Sequence, residues 1–178
     1  MTTDEYFLMP ETVLPQELVG GRVRDAPGPA PGHQWAAGRF FIELTKHVEE
    51  YHAGRVWMSP IDVVLDGDSG LVVQPDLILV SEARMGIVTD RVWGPPDLVI
   101  EVLSPRPRIG MLDERIGWFA RYGVRECWLI HQDAREVEVL EFAAGSLARR
   151  RIFRSKERIR SVVLPEFDLS PATIFGFY

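Results

Sequence analysis

Lysine is nearly missing from this chain: Lys46 and Lys156 accompany 18 arginines in 178 residues, a skew that codon usage explains more readily than function. Cysteine is down to one, Cys127 in a β-type run, which excludes an internal disulfide framework and fits a reducing compartment. No stretch approaches the roughly 18 consecutive apolar residues of a membrane span, and the acidic start MTTDEYF lacks the basic and apolar regions of a signal peptide. The expectation is a cytoplasmic protein with no membrane partner. Neither a GxxxxGKS or GxxxxGKT phosphate loop nor a GxGxxG turn occurs, so a nucleotide-cofactor enzyme has no foothold. His47 and His52, five apart, do not align on one helix face for zinc and read as surface residues. What remains is ordinary for a soluble globular protein: 46% hydrophobic and 26% charged. The length suffices for one well-buried core and falls short of two, so a single domain over residues 1–178 is expected.

Two carboxylates stand out against that background. Asp76 in LVVQPDLILV and Glu101 in PPDLVIEVLSP each sit among aliphatic and β-branched residues. Burying an unpaired carboxylate costs several kcal/mol even after relaxation, so such groups are normally paired, neutralised or bound to a cation. Alternate residues of a strand share a face, which sets Asp76 with Ile78 and Val80, and Glu101 with Val99 and Leu103. Both strands are apolar on both faces, as central strands covered by helices are. Pro75 belongs at a strand's start or at an edge and sets Asp76 near an opening. With no His or Cys close to either carboxylate in sequence, the chemistry is oxygen-only and suits a hard divalent cation, Mg²⁺ before Zn²⁺. The competing reading is that each carboxylate caps a turn or pairs with an arginine.

The order of elements frames this pair. QELVGGRVR reads as a hairpin in which Gly20 and Gly21 supply positive φ, followed by a proline-rich connector over residues 26–32. From about His33 to His52, Ala37, Phe41, Leu44, Val48 and Tyr51 recur at helical spacing, with Gly54 as a stop. Strands follow at RVWMS and IDVVLDG, then a turn over residues 66–70, the Asp76 strand, a loop with Gly94, Pro95 and Pro96, and the Glu101 strand. A second helix over 111–122 carries Leu112, Ile116 and Phe119 on one stripe, with Gly123 past its end. RECWLIH and EVEVLEF form a hairpin around QDAR, and a strand is expected near 149–154. Helices interleaved with many strands predict an α/β or α+β fold with a mixed sheet.

Charge is unevenly spread. RRRIFRSKERIR, residues 149–160, carries seven positive side chains and one negative in a chain of net charge −6, which leaves −12 for the rest. Such a run neutralises phosphates or forms the solvated side of an amphipathic strand with Ile152 and Ile159 turned inward. Gly67-Asp68-Ser69-Gly70 repeats part of a serine-protease nucleophile loop, but four turn-forming residues between strands are ordinary punctuation.

Pro75-Asp76, then Glu101 on the next strand, then a helix and the run Tyr122-Gly123-Val124-Arg125-Glu126-Cys127-Trp128 together resemble the Uma-two family of restriction-endonuclease-like proteins, in the PD-(D/E)xK nuclease superfamily. The likeness includes QELVGGRV, His33 opening the first helix, GPPDLVIEVLSP, GVRECWLI and the closing VVLPEFDLSPATIF, and covers nearly the whole length. It implies a restriction-endonuclease-like core, a central mixed β-sheet flanked by helices, in which Asp76 and Glu101 ligate Mg²⁺ or Mn²⁺ with the backbone carbonyl of Val102 as a further ligand. Glu17 and His33 match marked family positions, which implies an additional carboxylate and a phosphate contact. Their other readings are a hairpin salt-bridge partner and a helix-start residue. DNA is the implied partner, and a homodimer is compatible with the resemblance.

Two departures bear on activity. The usual lysine would stand at 103, where this chain has Leu103; the family resembles the variant in which that lysine lies on the following helix, four residues before an aromatic. Here that position is Arg115, four before Phe119. Arginine keeps the charge but cannot deprotonate to act as a base. Cys127 replaces the family's usual tyrosine, a change read as packing only. The expected function is a metal-dependent DNA endonuclease; the alternative is a catalytically inactive module of the same fold that binds nucleic acid or a protein partner.

Overall fold

Pro75 divides the apolar run LVVQPDLILV between two sheets, because proline cannot donate to a ladder. Leu71–Val73 pairs in a five-stranded sheet and Leu77–Ser81 in a six-stranded one, with Gln74, Pro75 and Asp76 crossing between them. The computed structural model describes every residue except 11, 13, 14, 26, 27, 105–108, 177 and 178, and only the backbone of 109 and 110. The first two residues of the proline-rich connector thus lie outside the described residues.

In chain order, α1 (Thr3–Phe7) precedes the hairpin β1 (Gln16–Val19) and β2 (Arg22–Asp25), then α2 (Pro31–Tyr51), β3 (Gly54–Met58), β4 (Val63–Asp66), β5 (Leu71–Val73) and β6 (Leu77–Ser81). A 3-10 turn over Glu82–Ile87 leads to β7 (Val92–Trp93), β8 (Leu98–Leu103) and α3 (Ile109–Tyr122). The strands β9 (Glu126–His131), β10 (Glu136–Ala143) and β11 (Ser146–Arg154), and α4 (Pro171–Phe175), complete the described elements. The central mixed sheet runs β11-β10-β9-β8-β6-β3, with β8 and β9 parallel and its other neighbours antiparallel. The second runs β2-β1-β5-β4-β7, mixed through a parallel β4–β7 pair. Among the described residues no helix is long and apolar enough to cross a membrane.

Strand alternation distributes the core. Leu77, Leu79, Ile100, Trp128 and Ile130 pack with Phe40, Leu44 and Val48 of α2. Ile78, Val80, Val99, Cys127 and Leu129 pack with Phe119 of α3 and with Val63, Leu71 and Val73 of the second sheet. Each fully buried Leu, Ile or Phe stabilises this arrangement by roughly 1.5–3 kcal/mol. Cys127 is fully buried, and burial pushes its thiol well above the ordinary value, so packing is its role.

Three local expectations change. Helix α2 ends at His52 as expected, but the residue that stops it is His52 itself, in the left-handed conformation at φ 50°, rather than Gly54. Gly54 instead opens β3, where a Cβ would stand 2.2 Å from the Val80 carbonyl oxygen. On β11 the inward residue is Phe153, opposite Val137, while Ile152 is 40% exposed and Ile159 is buried as expected. Neighbouring strand positions face opposite ways, so Phe153 inward forces Ile152 outward. The arginine-rich run is also largely compensated: Arg150, Arg151, Arg154 and Arg158 pair with Glu138, Glu141, Glu136 and Asp168. The turn at residues 66–70 is held by Asp66 Oδ1, which accepts the N–H groups of Asp68 and Ser69.

Glu126 fastens the C-terminal segment. Its buried carboxylate accepts from Trp128 Nε1, Ser161 Oγ and the N–H groups of Val162 and Val163 at 2.8–3.1 Å. Burial pushes its pKa up, against those four donors. Glu126→Ala would leave several buried donors unpaired, each costing about 1–3 kcal/mol. We expect a clear loss of thermal stability and faster proteolysis within residues 155–170; an unchanged melting temperature would show that water replaces the carboxylate at no cost.

Candidate active site

The last paired residues of β6 and β8 are Leu77 and Ile100. Continued two residues further, the same register sets Asp76 across from Glu101 and Pro75 across from Val102. Directly opposed residues on antiparallel strands turn their side chains to one face, with Cβ atoms about 4.5–5.5 Å apart. Pro75 has no N–H to extend the ladder toward Val102. In its place Asp76 Oδ2 accepts the Val102 N–H at 2.7 Å. A ladder residue points its N–H and C=O to the same side, so the Val102 carbonyl also faces this edge; Pro75 has no donor to offer it, and the carbonyl instead draws on the His33 imidazole, whose pKa it helps to raise.

Two further side chains arrive from distant parts of the chain. His33, the third residue of α2, brings Nε2 to 3.0 Å from the same Asp76 Oδ2. That hydrogen bond raises the imidazole pKa against the opposing effect of burial, and Nδ1 is buried without a hydrogen-bond partner among the described residues. From α3, Arg115 donates Nε to Glu101 Oε1 at 2.6 Å and Nη1 to both oxygens of Glu17 at 2.7 and 2.9 Å. Glu17 Oε1 also accepts the Gln74 N–H at 2.7 Å. The three charged side chains are only 12–15% exposed. Burial pushes the Glu101 carboxyl up to about 7, with Arg115 pulling it down and Asp76 pushing it up. Burial works against the charge on Arg115, but Glu101 and Glu17 outweigh it and raise its pKa.

All of these residues line one cleft of about 960 Å³. The structure therefore brings together Glu17, His33, Asp76, Glu101 and Arg115, with Val102 at the same edge, as two linked sets: His33–Asp76–Val102 and Glu101–Arg115–Glu17. Among the described residues, pairing with an arginine holds for Glu101 and not for Asp76. Among the described residues no three His, Cys, Asp or Glu side chains cluster as a metal cage. Sequence reasoning missed Gln74 and Trp35, which also line the cleft. Gln74 had a signal, as the one amide inside LVVQPD; Trp35 had none, since a helix's first turn does not reveal what it faces. None of the arginines in residues 149–160 lines the cleft.

A crystal structure of a putative nuclease belonging to DUF820 from Anabaena variabilis superposes with a TM-score of 0.80, covering 99% of this chain and 98% of that one. At 19% identity the likeness is one of fold, a mixed α/β architecture. No curated protein matches. The family model Uma2, described as "Putative restriction endonuclease", matches residues 3–172, which takes in both sheets and the side chains of Glu17, His33, Asp76, Glu101 and Arg115, and the chain belongs to that family.

Proposed function

We propose that the protein is a divalent-metal-dependent nuclease that hydrolyses phosphodiester bonds of DNA at the Asp76–Glu101 edge. The observation that carries this reading is the opposed carboxylate pair: Asp76 Oδ1 and Glu101 Oε2 have no hydrogen-bond partner among the described residues, beside a carbonyl that faces a proline. Two carboxylates and a carbonyl are hard oxygen donors in the number that suits Mg²⁺ or Mn²⁺, since Mg²⁺ keeps several waters and takes substrate phosphates. Asp76, Glu101 and the Val102 carbonyl would hold the ion. When bound, it supplies Lewis acidity and neutralises phosphate charge.

The protein's own groups do the rest. His33, with its pKa raised by Asp76, holds Asp76 in place through Nε2. Arg115 fixes the Glu101 carboxylate and ties it to Glu17, and its charge favours the ionised form of Glu101. It cannot serve as a base. That same bridge favours the second reading, a module of this fold that binds without cleaving. Incubation of supercoiled plasmid and labelled oligonucleotides with Mg²⁺ or Mn²⁺ decides between them: cleavage abolished by chelator supports the nuclease, and intact DNA under all conditions supports the binding module.

Two outcomes follow from the site. Arg115→Lys restores a group that can lose its proton, so hydrolysis should rise; an unchanged rate in purified, folded protein would count against a catalytic position there. Divalent binding needs ionised Glu101, whose carboxyl stands at about 7. Below that pH a proton competes with the ion, so Mn²⁺ affinity should fall by up to about tenfold per pH unit, as protonation linkage requires. Calorimetric titrations at pH 6 and pH 8 giving equal affinities would remove Glu101 from the ligand set.

A further inference from the structure

Gln74 holds the segment that carries Asp76 from one sheet to the other, and it does so at two points. Beyond Leu18 and Val72, the last paired residues of β1 and β5, the Gln74 N–H goes to Glu17 Oε1 at 2.7 Å. On the opposite edge Val63 pairs with Val73, and the same register continued by one residue sets Asp62 across from Gln74. Side chains so opposed turn to one face, with Cβ atoms about 4.5–5.5 Å apart. Gln74 Nε2 accordingly donates to Asp62 Oδ1 at 2.9 Å. The amide oxygen is buried with no hydrogen-bond partner among the described residues, so the bond to Asp62 is the side chain's one polar anchor there.

Asp62 is itself fixed. Its carbonyl accepts the Val92 N–H at 3.1 Å, and its Oδ2 lies 3.5 Å from Nε of Arg91, whose guanidinium stacks over Phe7 at 3.8 Å. Tyr6 reports the same neighbourhood: burial pushes its hydroxyl up to about 12, Asp62 and Glu17 push the same way, and Arg91 pulls it down. Gln74 thus spans two carboxylates, Glu17 in the cleft and Asp62 behind it. Two residues on, Asp76 Oδ2 has to meet both the Val102 N–H and His33 Nε2. Pro75 stands between with a fixed φ, so the setting of Gln74 carries to Asp76 with little slack. Carboxylates that ligate a metal are aimed by partners that do not themselves touch it.

We infer that Gln74 and Asp62 are a positioning pair for the active site: Asp62 holds the amide, and the amide sets the crossing from which Asp76 reaches Val102 and His33. The consequence for metal binding rests on the reading of a cation at Asp76 and Glu101; the setting of Asp76 does not.

Amide hydrogen exchange followed by NMR, and calorimetric titration with Mn²⁺ at pH 8, test this on the full chain. Gln74→Met keeps the length of the side chain and removes the donor. The amides of Val102 and of residue 74 should then exchange severalfold faster while the rest of β8 exchanges as before. Mn²⁺ binding should weaken by about tenfold, the lower end of what losing a partner behind a metal ligand costs. Asp62→Leu should do the same, and the double variant should be no worse than either single one, because each removes the same bond. Asp62→Asn leaves an oxygen for Gln74 Nε2 and should keep most of the affinity. A link that served stability alone would lower the melting temperature and leave the Mn²⁺ affinity of the folded protein unchanged. Wild-type exchange at Val102 in a folded Gln74→Met protein, or losses that add in the double variant, overturns the inference. If exchange quickens as expected while the wild-type protein binds no Mn²⁺, the cation reading fails and the positioning pair stands. If the wild-type protein binds Mn²⁺ and Gln74→Met matches it in affinity and exchange, the reverse is true.

Discussion

Asp76→Asn should lower Mn²⁺-dependent hydrolysis of plasmid DNA by on the order of a hundred- to a thousandfold. A metal's charge stabilisation of the transition state is worth several kcal/mol, and each 1.36 kcal/mol is about tenfold in rate. Asparagine keeps the size of the side chain and an oxygen to accept the Val102 N–H, which Asp76 Oδ2 takes at 2.7 Å. It removes the negative charge that holds both the cation and the charged form of His33. The substitution therefore separates charge from shape. Initial rates on supercoiled plasmid, with the melting temperature as a check on folding, decide the matter: a folded variant retaining a tenth or more of the activity would take Asp76 out of the site.

Arg115→Met should produce the largest loss of stability of any single change at the cleft. Methionine fills much of the same volume but leaves Glu101 and Glu17 facing each other at 12–15% exposure without their shared cation. Removing one partner of a buried pair costs roughly 3–5 kcal/mol, and at this chain length each kcal/mol shifts the melting temperature by about 2–4 °C. The loss should be greatest at alkaline pH. Glu101 has a raised pKa in the folded protein, and without Arg115 it rises further, so lowering the pH neutralises the carboxyl and relieves the repulsion. Divalent ions should raise the melting temperature of the variant more than that of the wild type, because they supply the missing charge. Thermal unfolding at pH 6 and pH 8.5, with and without Mg²⁺, reads all of this. A variant as stable as the wild type would mean that Arg115 only decorates the cleft.

These expectations depend on how the chain's local patterns were assembled. The hairpin at Gly20–Gly21, with φ of 55° and 74°, followed from the one residue type that tolerates both angles. Helix α2 was legible to within two residues because its apolar stripe and its flanking proline are short-range signals. What stops that helix was not. A histidine in the left-handed region stops it, and Gly54 is required by the approach of β6, a contact invisible in the local sequence.

The alternation of LVVQPDLILV and LVIEVL by itself set Asp76 and Glu101 on one face of their strands, since the direction of a strand side chain depends only on its position in a two-residue repeat. Pro75 likewise announced a break there, because a missing N–H is a property of the residue. What the sequence could not decide was partnership. That LVV and LILV belong to different sheets, that His33 reaches Asp76 across 43 residues and that Arg115 joins Glu101 to Glu17 across 98 were settled by strand order and helix packing. The arginine-rich segment shows the same division. Its charge was plain in the sequence, but whether that charge was available depended on Glu136, Glu138 and Glu141 lying on the adjoining strand, a matter of register rather than composition. Facing and breaking are local and can be read along the chain; pairing is a long-range outcome of which surfaces bury together, and the tertiary structure alone determines it.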